Sequence, residues 1–301
     1  MEYLKRLDRY WNKPRHAAYL FVMPAMLIVL LFSIVPLISS FGISLFEINT
    51  SLSNPIFVGF DNYSLALRDV RFLNALKNTL LFTLFDVPLQ VIVALVIAAL
   101  LPGKSFMDKL MRAVFFLPIV CSPTAIGIMW QIFLNPNVGW FPYMLTQLGL
   151  PKISFFKDMH IALYSIMFVS VWRSFGMSMT ILVAAMQGVP QSLYEASRID
   201  GAGKLKQFFN VTLPGISGTL WFVLITRIIG SLQVFDIVYT ITGGGPAYST
   251  ETLVSYVYAR AFEQSSRLGY ATAMAEWLFL LIMLITVVLY TRMNKQEALD
   301  I

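Results

Sequence analysis

Asp86, Arg173, Arg227 and Glu276 are ionisable residues that fall well inside long apolar stretches of this sequence, and Lys77 also lies within one. A charge at a bilayer centre costs roughly 2.5–3.5 kcal/mol on insertion scales. Each should therefore face a bundle interior or a wet cavity, where it pairs with another group or meets a solute. Both uses stay open for Asp86, Arg173 and Glu276. Catalysis has less to draw on. His16 and His160 are far apart in the sequence and Cys121 is the single cysteine, so neither a metal cluster nor an internal disulfide is suggested. Gly201-Ala202-Gly203-Lys204 comes nearest to a phosphate loop. Arg198 stands where its first glycine belongs, and Leu205 where Ser or Thr must follow the lysine. The chain itself is therefore not expected to bind ATP. Gly243-Gly244-Gly245-Pro246 lacks the lysine as well and reads as a turn in an external loop.

The elements that must hold these residues are those of a membrane protein. Only 13% of the 301 residues are charged and 57% are hydrophobic. A soluble domain carries about 25% charged residues, so this chain has too few to solvate a globule of its size. Six apolar segments lie near 17–45, 72–101, 112–134, 158–186, 214–235 and 268–291. Each suits the ~20 residues of a membrane-crossing helix. Backbone groups in lipid must be satisfied within the segment, which makes the runs helical, and no alternating strands of a barrel are visible. The expected fold is all-α, a polytopic membrane protein with six transmembrane helices in one domain over 1–301. The first run exceeds the ~7–15-residue core of a signal peptide and reads as an uncleaved span. Pro24, Pro36, Pro88, Pro118 and Pro123 lie within spans and should kink helices rather than end them.

Basic residues set the orientation. Segments 1–16, 102–112, 187–213 and 292–301 hold Lys5, Arg6, Arg9, Lys13, Arg15, Lys104, Lys109, Arg112, Arg198, Lys204, Lys206, Arg292 and Lys295. The alternate segments are longer in total yet hold only Arg68, Arg71, Lys152, Lys157, Arg260 and Arg267. The positive-inside rule then places both termini in the cytoplasm. The net charge of +6 reflects this topology rather than a nucleic-acid surface.

The cytoplasmic segment 187–213 has its own pattern. Pro190 suits a first helical turn, and Gln191–Ile199 can follow as a helix with Leu193, Ala196 and Ile199 on one face. Gly201 and Gly203 permit a sharp turn. A second short helix from Lys204 to about Asn210 carries Leu205, Phe208 and Phe209, and Pro214 begins the next span. Tyr194, Glu195, Arg198 and Asp200 should be exposed. On physical grounds alone this is either a loop lying flat on lipid or a surface for a partner.

Here the sequence resembles the integral subunits of bacterial ABC importers. Their loop reads Glu-Ala-Ala, three residues, Gly, nine residues, Ile, one residue, Leu-Pro. This chain has Glu195-Ala196-Ser197, Gly201 and Val211-Thr212-Leu213-Pro214 at that spacing, with Ser197 for alanine and Val211 for isoleucine. Phe57-Val58-Gly59-Phe60-Asp61-Asn62-Tyr63, Phe235-Asp236, Thr242-Gly243-Gly244-Gly245-Pro246 and Gly269-Tyr270-Ala271-Thr272-Ala273 resemble sugar permeases of the maltose-transporter F-type, multiple-sugar and glycerol-phosphate group.

The resemblance implies a non-catalytic permease of the bacterial cytoplasmic (inner) membrane. Its coupling-helix loop between spans 4 and 5 would dock on an ATPase through Tyr194, Glu195, Ala196, Ser197, Asp200 and Gly201. ATP and Mg would sit on the partner ATPase, with no cofactor in this chain. The implied partners are a second homologous permease, two ABC ATPases, an extracytoplasmic solute-binding protein, a sugar and membrane lipid, with no nucleic acid. Aligned on Trp172 and Pro214, the family's sugar pathway falls on Ser170, Arg173, Ser174, Met177, Arg227, Gly230, Ser231 and Val234. Arg227 departs from the small polar residue expected there. With Arg173 it would suit a carboxylate or phosphate on the sugar. Trp130, Trp172 and Trp221 read either as stacking platforms or as packing and interface anchors. A membrane-embedded enzyme would need a catalytic pair that these residues do not supply. An ion-driven transporter would need more spans and inverted repeats.

Overall fold

The computed structural model of the chain describes residues 14–101, 103, 105–263 and 267–297. The basic residues Lys5, Arg6, Arg9, Lys13 and Lys104 lie outside the described residues. The path begins with α1 (Pro14–Val29), which passes through a π turn at Leu30–Ile34 into α2 (Val35–Ser44). A short antiparallel hairpin of β1 (Phe46–Glu47) and β2 (Ile56–Phe57) follows. Then come α3 (Asp61–Arg68), α4 (Val70–Leu100), α5 (Phe106–Val120), α6 (Pro123–Phe133) and α7 (Trp140–Gln147). The second half holds α8 (Ala162–Gly188), α9 (Gln191–Ile199), α10 (Lys204–Gly215), α11 (Ser217–Leu232), α12 (Asp236–Thr242), α13 (Leu253–Tyr258) and α14 (Leu268–Glu297).

Among the described residues, four helical stretches are long and apolar enough to cross a bilayer: Phe21–Ser44, Val70–Leu100, Ala162–Gly188 and Leu268–Met293. Two further stretches qualify only as bent pairs, α5 with α6 at 99° and α10 with α11 at 72°. Counting each pair as one span gives six. The expectation that Pro123 would merely kink its span is therefore corrected. Cys121 and Ser122 are both extended, with ψ of 147° and 135°. Ser122 precedes a proline, whose ring pushes its neighbour out of the helical region, so α6 starts afresh at Pro123. Pro24, Pro88 and Pro118 do lie inside helices.

The core is organised along α4. Asp69 caps this helix, accepting from the backbone N–H of Arg71 at 2.9 Å and of Phe72 at 3.4 Å. Phe72, Ala75, Thr79, Phe82, Asp86 and Gln90 follow at steps of three and four and are all buried, forming one stripe down one face. Three apolar clusters use this helix. Phe72 joins Leu253, Tyr256 and Met274 of α13 and α14. Val87 and Val91 join Phe175, Met179 and Val223 of α8 and α11. Phe82 joins Ile126, Ile166 and Val238 of α6, α8 and α12. Gly176 lets α8 press against the backbone of α5, where any Cβ would collide with the Phe115 carbonyl oxygen. By contrast, α1 and α2 bury none of their most apolar stretch within the chain. A helix apolar all round suits lipid or another chain.

The end of the bundle remote from α9 is tied down by polar contacts. Arg71 Nε and Nη2 both donate to Glu251, each at 2.8 Å, and the guanidinium lies 3.8 Å from the Tyr248 ring. Asn78 donates to the carbonyls of Tyr248 and Glu251. Gly243 and Gly244 take φ of 59° and 88°, so the Gly-Gly-Gly-Pro run does form a turn.

Candidate functional site

A cavity of about 230 Å³ lies where α4, α8 and α11 meet the chain entering α12. Phe82, Asp86 and Gln90 come from α4, and Ser170, Arg173 and Ser174 from α8. Arg227, Gly230 and Ser231 come from α11, and the rim runs from Gln233 to Ile237. Pro123, at the break between α5 and α6, completes the wall. The three- and four-residue spacing within each helix puts its contributors on one face.

This cavity is polar where a protein interior should be dry. Asp86, Gln90 and Ser231 are almost fully buried. Asp86 Oδ1, Gln90 Nε2, Arg173 Nε and Ser231 Oγ have no hydrogen-bond partner among the described residues. A buried polar atom left unpaired costs about 1–3 kcal/mol. Four such atoms around one cavity fit a site satisfied by water or by a solute rich in hydroxyls. Two arginines (Arg173, Arg227) face two aspartates (Asp86, Asp236) across it. None of these four forms a salt bridge among the described residues, so cations and carboxylates keep hydrogen-bonding capacity for a solute.

Of the pathway residues expected from sequence, the structure brings together Ser170, Arg173, Ser174, Arg227, Gly230, Ser231 and Val234. Met177, about one turn further along α8, does not line the cavity and is 39% exposed. Asp86 was visible as an intramembrane charge but not as a cavity residue. Gln90, one turn on from Asp86, carried the same signal: a second polar side chain on one face of an apolar helix. Phe235 and Asp236 could not be assigned to the wall, because only the chain's turn after Leu232 brings them there. Glu276 serves elsewhere. It is buried between α14 and α2, where it accepts from Ser40 Oγ at 2.9 Å. Trp130 and Trp172 pack edge to face at 5.4 Å beside the third apolar cluster and do not line the cavity.

The second feature is a hook formed by α9 and α10. The helix Gln191–Ile199 forms as expected. It ends with Asp200 N–H donating to Ala196 O at 3.1 Å and Ala202 N–H to Ser197 O at 2.9 Å. Gly201 has φ of 74°, a left-handed value that side chains oppose. Glu195, Ala196 and Asp200 are exposed, and so are Leu193 and Ile199, the latter by 88%. The apolar face of α9 thus points away from its own bundle. Tyr194 departs from the expected exposure. It is half-buried, and its hydroxyl pairs with Thr212 Oγ1 at 2.9 Å, pinning α9 to α10. Ser197 is also half-buried, donating to the Tyr194 carbonyl. Tyr194 and Ser197, three residues apart, share one side of α9, the side turned toward α10.

At the other end, Asp69 accepts from the hydroxyls of Tyr256 at 2.5 Å and Tyr270 at 2.7 Å. Burial pushes its carboxyl up, but these bonds and the two backbone N–H groups outweigh it and hold Asp69 below the ordinary carboxylate value. Burial and the bond to Asp69 push the Tyr256 phenol up to about 12.

A bundle of membrane-length helices with a polar cavity inside and an outward-facing hook at one end is an architecture suited to a solute permease. The chain belongs to the family of binding-protein-dependent transport system inner membrane components, whose model matches residues 65–296. It is 33% identical over 284 residues to the sulfoquinovosyl glycerol transport system permease protein SmoG of Agrobacterium fabrum, spanning 94% of this chain and 92% of that one. Identity to the trehalose/maltose transport system permease protein MalF of Thermococcus litoralis is 31% over 270 residues, 90% and 91% of the two chains. A bacterial ABC transporter involved in the import of the acidic polysaccharide alginate shares the fold at a TM-score of 0.80. Its identity is 22%, with 98% of this chain and 99% of that chain covered. The protein is thus a membrane-embedded, non-catalytic ABC transporter permease.

Proposed function

We propose that this chain is the permease subunit of a binding-protein-dependent ABC importer that moves a sugar or oligosaccharide with an acidic group across the bacterial cytoplasmic membrane. The whole of 1–301 acts as one domain of six spans, with both termini and the α9–α10 hook in the cytoplasm. Exposed Glu195, Ala196, Asp200 and Gly201 meet a separate ATPase, on which ATP and Mg act, while Tyr194 and Ser197 hold the hook's shape. A second homologous permease, two ATPases and an extracytoplasmic solute-binding protein complete the machine. ATP-driven closure of the ATPases rocks the paired permeases between inward- and outward-facing states around the cavity.

The cavity carries this reading: four of the seven buried side-chain polar atoms without a partner among the described residues gather around it. Its 230 Å³ falls short of the ~300–1,000 Å³ usual for small-molecule sites, which supports a second permease supplying the opposite wall. A sugar as cargo is supported by relatives named for sulfoquinovosyl glycerol and for trehalose and maltose. Arg227 and Arg173 supply forked donors matched to a carboxylate, sulfonate or phosphate, while Asp86 and Asp236 accept from hydroxyls. The test is uptake into proteoliposomes containing the full transporter, with acidic and neutral sugars compared. Uptake should require ATP and the ATPase, and Arg227→Ala should impair acidic sugars at least tenfold more than neutral ones. Equal loss for both removes the charge assignment. Full-speed uptake without the ATPase refutes the importer reading.

A further inference from the structure

A row of aromatic rings leads outward from the cavity. Phe235 immediately precedes α12 and Tyr239 lies four residues on within it; Tyr258 closes α13 and Phe262 lies four residues further on, in a π turn at Ala259–Glu263. Residues at that spacing share a helix face. The two pairs meet. Phe235 lies 5.1 Å from Tyr239 with ring planes only 25° apart, and 5.1 Å from Tyr258. Tyr258 lies 5.4 Å from Tyr239 and 5.3 Å from Phe262. Exposure grows along the row. Phe235 and Tyr258 are half-buried, Tyr239 is 42% exposed and Phe262 60%. The inner end is anchored in the cavity, because Phe235 and Asp236 both line it.

Polar groups flank the rings. The Tyr239 hydroxyl donates to Glu263 Oε1 at 2.7 Å, and both Glu263 and Asp236 are exposed. A face turned to hydrocarbon would not place two carboxylates beside its rings. Aromatic faces bordered by carboxylates instead match a sugar, whose ring has an apolar face and a girdle of hydroxyl donors. We propose that Phe235, Tyr239, Tyr258 and Phe262 form a ladder that binds successive units of an oligosaccharide at the extracytoplasmic mouth. Asp236 and Glu263 accept from its hydroxyls. The inner ring hands the chain to the cavity, and the arginines there take the acidic group. This rests on the sugar-importer reading above and adds to it a preference for chain length.

The experiment uses the complete transporter with its binding protein in proteoliposomes. Uptake is measured for one-unit and four-unit members of the maltodextrin and oligogalacturonide series. The double variant Tyr239→Ala, Phe262→Ala removes the two exposed rings. It should raise KM for the four-unit sugar about tenfold, since each stacking contact contributes several-fold, and for the one-unit sugar less than about twofold. Tyr239→Phe with Phe262→Tyr keeps both rings and should restore most of the four-unit KM. Unchanged KM for both sugars, equal loss for both, or no rescue by the aromatic swap overturns the ladder; so does a wild-type transporter that carries only single units. A wild-type transporter that carries neither series overturns the sugar reading itself, a different result from a ladder variant that behaves as wild type.

Discussion

Gly201 offers a test in which the side chain meets nothing and only the backbone is perturbed. Its φ of 74° lies in the left-handed region, and a Cβ built there finds no atom within 4 Å. The cost of a side chain is therefore conformational, about 1–2 kcal/mol for an ordinary L-residue. If the hook docks on an ATPase as proposed above, it must keep this turn to do so, and the cost comes out of docking free energy. The expected loss of coupling is about 5–30-fold, at 1.4 kcal/mol per factor of ten. Asparagine tolerates the left-handed region, whereas β-branched valine is a genuine outlier there. Sugar-stimulated ATP hydrolysis in proteoliposomes should fall in the order Gly, Asn, Ala, Val. Membrane insertion and yield of the permease should not change. Valine at wild-type coupling, or asparagine as poor as valine, would refute the argument that the turn's backbone shape is what the ATPase reads.

Three further outcomes follow from contacts away from the hook. Asp69 has its carboxyl held below the ordinary value of 3.8, so its stabilisation is complete above that pH and drains away as pH falls through the lower folded value. Thermal melts from pH 7 down to pH 3 should show this loss, and Asp69→Asn should remove that part of the pH dependence. Glu251→Gln breaks a pair whose side chains are 4% and 17% exposed, leaving Arg71 with a weakened partner. A loss of about 1.5–3 kcal/mol, the worth of a charged hydrogen bond, is expected, read as a fall in melting temperature and faster proteolysis of 243–252. Gly176→Ala drives a methyl into the Phe115 carbonyl oxygen, and backbone cannot yield as a side chain does. It should cost about 1–3 kcal/mol of stability. Gly188→Ala, with nothing within 4 Å, should leave the melting temperature unchanged.

Apolar run length placed the four unbroken spans to within about four residues at each end, because a helix in lipid has no alternative way to satisfy its backbone. The bends were harder to see. The run 112–134 is uniformly apolar, and only the restriction that Pro123 imposes on Ser122 ends the helix there. The turn at Ile216, with φ of −110°, has no such residue to announce it. The hook was legible because its shape depends on a glycine at the left-handed position, a local requirement. Tyr194 was misread as exposed because its partner, Thr212, lies across the turn in another helix. The cavity was half legible. The family resemblance, aligned on Trp172 and Pro214, is what pointed to Ser170, Arg173, Ser174, Arg227, Gly230, Ser231 and Val234, all of which line the cavity, and to Met177, which does not. Which faces meet is a tertiary matter, so the α4 wall of Phe82, Asp86 and Gln90 emerged only with the fold.

That α4 wall and the α11 wall differ in how they are held, and the difference bears on how a hook could move a cavity. α9 is fastened to α10 by the Tyr194–Thr212 bond, and α10 joins α11 through the single residue Ile216. Across that bend the backbone stays bonded, Ile216 N–H to Thr212 O at 3.1 Å and Leu220 N–H to Ile216 O at 2.8 Å. Val189, at the start of the hook, packs against Gly215, where a Cβ would lie 3.0 Å from its Cγ2. The three helices thus form a bent lever rather than a loose chain. Tilting α9 must either turn α11 or break these contacts. The far arm of the lever carries Arg227, Gly230 and Ser231 into the cavity. The opposing helix, α4, is clamped at its remote end by Asp69, the Arg71–Glu251 pair and Asn78. If a partner pulls the hook as proposed, Arg227 and Ser231 move past Asp86 and Gln90 only where the packing of Val223 on Val87 and Val91 between α11 and α4 gives way. The polar atoms left unpaired in the cavity belong to both the moving and the clamped wall. A solute bridging them would feel the stroke directly, whereas one held by a single wall would be carried along with it.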